Sequence, residues 1–128
     1  MLDPLERKAL KRGRRFHRLR PEARHRLRIT LKKLRCSAEF FLPLYANQAS
    51  TRKYLKQLSR LQDALGKAND IRTTRTLLSD VREHVDSPGV HRAIGAVIGW
   101  QGHIEPAGAR RLNNSWRKFR RTAPFWPC

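Results

Sequence analysis

One stretch constrains the fold more than any other: residues 21–45, PEARHRLRITLKKLRCSAEFFLPLY. Its apolar residues Leu27, Leu31, Leu34, Ala38, Phe41 and Tyr45 recur at three- and four-residue steps, the spacing of one helix face. His25, Arg28, Lys32 and Arg35 recur at the same steps on the neighbouring face. At 1.5 Å per residue that basic row runs for ~15 Å. A helix with these two stripes buries one side. The adjoining side is left with a row of positive charge next to whatever packs on the first. The expected architecture is therefore all-α, with the row lining a groove between helices.

Charge decides what kind of partner such a row could meet. The 128 residues carry 29 Lys and Arg against ten Asp and Glu, a formal net charge of +19. A chain this basic repels itself unless a polyanion or counterions neutralise it. Nucleic acid, an anionic membrane surface and a phosphate polymer all fit that requirement. The length suits one small domain, residues 1–128. The opening MLDPLERKALKRGRR has no apolar core of a signal peptide, and no run approaches a membrane span. Cys36 and Cys128 form no disulfide framework. A cytoplasmic location with reduced thiols is the expectation.

The rest of the chain also reads as helix, with no segment patterned as a strand. A first basic helix is expected from about Asp3 to Leu19, with Asp3-Pro4 as its start and Gly13 as a weak point. The second runs from Pro21 to near Asn47. A third starts at Ser50 or Thr51, with Leu55, Leu58, Leu61 and Leu65 facing inward. Asn69 or Asp70 is expected to cap a separate fourth helix. Ser87-Pro88 marks another start, and Gly102 and Pro106 are expected to break or kink the helix begun there. A last helix carries Ala109, Leu112, Trp116 and Phe119, before an aromatic tail expected to pack Phe125 or Trp126 on the bundle. Together these make an antiparallel helix bundle with short connections.

Several chemistries find little support. None of the five histidines forms a metal-binding pair at helical spacing. Asp63 and Asp70 stand near core leucines, but Gln62, Asn69 and Asp70 read more simply as groups satisfying a helix junction. No tight group of three acids is visible to hold a cation for phosphoryl transfer. Trp100, Trp116 and Trp126 could stack on nucleic-acid bases, although Trp116 is in phase with Leu112 and Phe119 and so reads as core. The basic row remains. A charge run is usually a solvated face, but this one adjoins the core stripe and meets almost no acid before Glu39. Arg, Lys and His also suit phosphate oxygens. Arg7, Lys8, Lys11, Arg12, Arg14, Arg15 and Arg18 precede it, and two such helices side by side would form a cationic channel. A second basic cluster spans Arg110, Arg111, Arg117, Lys118, Arg120 and Arg121.

The string from His25 to Arg35 (HRLRITLKKLR), Glu39 to Phe41, LeuGlnAspAlaLeuGly and AsnAsp (residues 61–70), TrpArgLysPhe (116–119) and AlaProPheTrp (123–126), in that order, resemble the CHAD domain. That family is all-helical, built of two similar four-helix halves around a basic groove, and its members bind inorganic polyphosphate. The resemblance implies that His25, Arg28, Lys32, Lys33 and Arg35 are phosphate ligands, joined by Lys8, Lys11, Arg12 and Arg15 of the preceding helix. It implies neither metal nor cofactor. The chain looks like the C-terminal half of such a domain. A half lacks one groove wall, so it is either a fragment or a unit that a homodimer would complete. Family members also occur fused to a CYTH triphosphatase domain, which makes a CYTH-type partner a further expectation.

The expected function is thus non-enzymatic binding of inorganic polyphosphate, with targeting to polyphosphate granules. A nucleic-acid-binding helical module is the main alternative, and an accessory module of a triphosphatase or phosphatase a more distant one. His25 would hold an anion better when protonated, so binding should tighten at mildly acidic pH.

Overall fold

The computed structural model describes residues 2–45 and 49–126. The described chain is all-α. α1 spans Leu2–Arg12, a 3-10 turn covers Phe16–Arg18, and α2 spans Pro21–Phe40. A one-turn α3, Leu42–Tyr45, precedes two long helices, α4 at Ala49–His84 and α5 at Pro88–Arg121. No helix among the described residues is long and apolar enough to cross a membrane.

The apolar stripe of α2 is the centre of the core. Leu27, Leu31, Leu34 and Ala38 are fully buried. They pack with Tyr54, Leu58, Leu61 and Leu65 of α4, and with Leu112, Trp116 and Phe119 of α5. Each buried leucine contributes about 2 kcal/mol of transfer free energy. α1 closes the core with Leu2 and Ala9. The tail packs as expected: Phe125 and Trp126 are both buried and meet Tyr54 edge-on. The Trp126 indole also donates to the Asp3 carboxylate, which ties the tail to α1.

Four expected boundaries differ. The first helix stops at Arg12 instead of Leu19, because Arg15 adopts a left-handed conformation (φ 53°) and the chain turns. α2 stops at Phe40 instead of near Asn47, a residue outside the described ones; Pro43 has no N–H to return to Glu39. The expected third and fourth helices are one helix: α4 runs through Gly66, Asn69 and Asp70 without a break. A capping residue offers an alternative to helix but does not end one, and α5 packs alongside. α5 likewise continues through Gly102 and Pro106. Beside this weak point Arg75 of α4 grips the Glu105 carboxylate with two bonds, 2.8 and 3.3 Å, and so bridges the two helices. The start at Ser87-Pro88 is as expected, with Ser87 Oγ accepting from the Val90 N–H.

α4 is ~54 Å long and α5 ~51 Å, against ~30 Å for α2. Their far ends therefore project as a two-helix hairpin beyond the three-layered core. Ile94 is buried there, but Trp100 is 65% and Leu77 61% exposed. Trp100 thus departs from the pattern of Trp116 and Trp126, which are core. The hairpin also differs in charge. Residues 69–109 carry four Lys and Arg against five Asp and Glu, and the rest of the chain carries 25 against five. The net positive charge of this protein comes from residues outside this hairpin segment.

Candidate functional site

The basic row of α2 lies at the mouth of the crevice between α2 and α4. The two helices run antiparallel, with Arg35 beside Gln62 and Pro21 beside Asn69 and Arg72. His25, Arg28 and Lys32 line one cleft of about 250 Å³, with Ile29 of α2 and Gln62 of α4 as its other walls. His25 and Arg28 also face a smaller recess towards the start of α2, lined by Arg24, Asn69 and Arg72. The row therefore sits where its phase relative to the core stripe predicts. α4 covers one edge of it, which leaves Arg28 half-buried and His25 and Lys32 exposed.

Arg35 ends the row in a fixed pose. Its Nη1 donates to Gln62 Oε1 at 3.0 Å and its Nε to Glu39 Oε1 at 3.1 Å. Gln62 thus orients a cation in the crevice, which is a different task from satisfying a helix junction. Glu39 offsets part of the Arg35 charge. Arg24 is the reverse case. Its Nε is buried and has no hydrogen-bond partner. A buried cationic N–H without an acceptor is costly, and an anion lying in the recess would relieve that cost.

The other residues implied by the family resemblance are not brought into this cleft. Arg12 donates to Thr30 Oγ1 at 2.8 Å and to the Arg26 carbonyl at 3.4 Å, and so holds α1 against α2. Thr30 and Arg35 are five residues apart, roughly 140° around the helix. α1 and α4 accordingly lie on opposite flanks of α2. Lys33 falls on the α1 flank with Arg26, about 100° from Lys32. Lys8 and Lys11 are exposed on α1. Arg15 lines a separate recess with Phe16, His17, Trp116 and Arg117. The structure packs α1 beside α2 and places the cleft that holds the basic row between α2 and α4.

Arg24, Gln62 and Arg72 were not among the expected ligands. Arg24 is in phase with Arg28 and Arg35 on α2, so its place was readable from spacing. Arg72 was not, because it reaches the recess only if α4 continues past Asn69. Asp80, Glu83 and His84 also stand within ligand distance of one another, on the exposed far end of α4.

A family model describing the CHAD domain matches residues 1–79. The chain belongs to the CHAD domain family. The match takes in α1, α2 and the cleft-forming part of α4, and it includes every residue of the α2–α4 cleft and its recess. α5 and the aromatic tail lie beyond it, although they complete the core of this CHAD chain. No curated protein and no solved structure matches the chain.

Proposed function

We propose that the α2–α4 cleft binds a linear polyanion, inorganic polyphosphate, by charge neutralisation and without catalysis. The observation that carries this reading is the convergence of Arg24, His25, Arg28, Lys32 and Arg72 on one crevice with no carboxylate among its lining residues. Successive phosphates lie along the row, Arg28 and Arg24 donate to their oxygens, and condensed counterions are released. No acid is among the described lining residues to hold a divalent cation against a phosphate or act as a base, and Glu39 at the end of the row already accepts from Arg35, which favours binding over hydrolysis. No Phe, Tyr or Trp is among its lining residues either, which favours an anion without bases over a nucleic acid. Membership in the CHAD family supports the same ligand. In the cell such a module would hold its protein at polyphosphate granules.

The test is binding of polyphosphate to the chain and to a double variant, Arg28→Glu with Lys32→Glu. Both positions lie off the core stripe, so helicity should be unchanged while binding is lost. Wild-type affinity should fall steeply with salt, with a log–log slope of roughly 0.7–0.9 per phosphate contacted if nucleic-acid behaviour carries over. Normal retention of polyphosphate by the double variant would refute the assignment. Displacement of polyphosphate by RNA or DNA at lower concentration would move it to the nucleic-acid reading.

A further inference from the structure

A second basic groove lies on the other side of α4. Arg60 and Lys67 of α4 and Arg110, Arg111 and Lys118 of α5 line a space of about 630 Å³ between the two long helices. Asp63 is the one acid among its lining residues. All five cations are exposed. None of them belongs to the row on α2, and Arg110, Arg111 and Lys118 lie beyond the matched part of the chain.

Between this groove and the α2–α4 cleft lies a further recess that shares lining residues with both. Arg24, Ala68 and Arg72 line both the recess at the start of α2 and a pocket of about 260 Å³ where α2, the 3-10 turn, α4 and α5 meet. Ala64, Lys67 and Arg111 line both that pocket and the α4–α5 groove. Glu105 borders the pocket, but both its carboxylate oxygens already accept from Arg75. The four recesses adjoin one another from Lys32 to Lys118, and each presents at least two cations.

We propose that this track is one binding path that discriminates polyanion length. A short phosphate chain occupies the α2–α4 arm alone. A long one turns round the start of α2 and descends the α4–α5 groove as far as Lys118. The proposal rests on the reading of the α2–α4 cleft as a polyphosphate site and adds the second arm. From the helix rise and the spacing of packed helices the whole path is about 40 Å. Once the first arm is filled, the remainder of the same chain reaches the second at a high effective concentration. The walls are helices packed on the core, so the cations are presented without a folding cost. The five cations also repel one another in the empty groove, and a bound polyanion removes that repulsion.

The experiment compares two phosphate chains, one too short to span both arms and one much longer, on the full chain and two variants. Arg111→Glu with Lys118→Glu should leave short-chain affinity at the wild-type level and weaken the long chain by about a hundredfold. It should also reduce the salt dependence for the long chain only. Arg28→Glu with Lys32→Glu should weaken both chains. Equal long-chain affinity in the groove variant and the wild type would overturn the second arm and leave the first reading standing. Equal loss of short and long chains in the groove variant would overturn the length discrimination. Failure of the wild type to bind either chain would instead remove the reading of the cleft. Circular dichroism on each variant, and the milder pair Arg111→Ala with Lys118→Ala, separate these results from misfolding.

Discussion

Gly13 lies directly against the indole of Trp116: a Cβ built on Gly13 would overlap Cη2 and Cζ2 and stand 2.8 Å from Cζ3. The same indole stacks on Phe16, with ring centroids 5.0 Å apart and planes within 11°. The end of α1, the turn after it and α5 are therefore joined at one contact. Gly13→Ala forces this contact apart and should destabilise the protein by about 1–3 kcal/mol. Urea denaturation followed by tryptophan fluorescence measures it. An unchanged midpoint would show that the ring has room to move.

Gly66 is the opposite case. It lies inside α4, and a Cβ there would meet nothing within 4 Å. Glycine in a helix interior costs roughly 0.5–1 kcal/mol relative to alanine, mainly through the freedom it has when unfolded. Gly66→Ala should therefore stabilise the chain by about that amount, read as a higher urea midpoint with an unchanged slope. The two glycines thus respond to the same substitution with opposite sign.

The Tyr54 hydroxyl donates to Glu6 Oε2 at 2.9 Å, inside the aromatic cluster that joins α4 to the tail. Burial raises the Glu6 pKa above its ordinary value of 4.5; the hydrogen bond from Tyr54 opposes that rise and Asp3 adds to it. A raised carboxyl binds more protons folded than unfolded. Its contribution to stability is thus full below the unfolded value and is lost as pH rises through the folded one. Glu6→Gln keeps an acceptor for Tyr54 without the buried charge. The stability difference between Glu6→Gln and the wild type should therefore shift in favour of Gln as pH rises from about 4 to 8. A difference that stayed flat with pH would contradict the burial argument.

Lys32 and Lys33 are neighbours in the chain but face different helices. Lys32→Glu should weaken polyphosphate binding about tenfold or more, since it removes a charge-assisted contact in the cleft. Lys33→Glu changes the net charge equally but acts from the α1 flank, where solvent and salt screen it, and its effect should be small. Titrations of both single variants at one salt concentration make the comparison. Equal losses would mean that total charge rather than the cleft sets the affinity.

The two stripes of α2 were legible because helix geometry alone relates them. Leu27, Leu31 and Leu34 had to be buried once the segment was helical, and His25, Arg28 and Lys32 then had to lie at the edge of the burial. The start at Ser87-Pro88 was legible for a similar reason: its capping bond is made within four residues. The continuity of α4 was not. Gly66, Asn69 and Asp70 weaken a helix locally, and packing against residues far along the chain overrides them.

The same division applies to the site. By itself the sequence determined an all-α chain of high positive charge, with one row of cations bordering a buried face, because charge count and 3.6-residue periodicity need no knowledge of neighbours. Which helix would cover that row was decided only by the tertiary structure. The row borders the buried stripe on one side, and periodicity does not say which neighbouring helix lies on that side. Arg12 bonds to Thr30 on one flank and Gln62 meets Arg35 on the other, so α1 and α4 take opposite sides. Long-range packing therefore placed the cleft between α2 and α4 and brought Arg72 to the recess beside it.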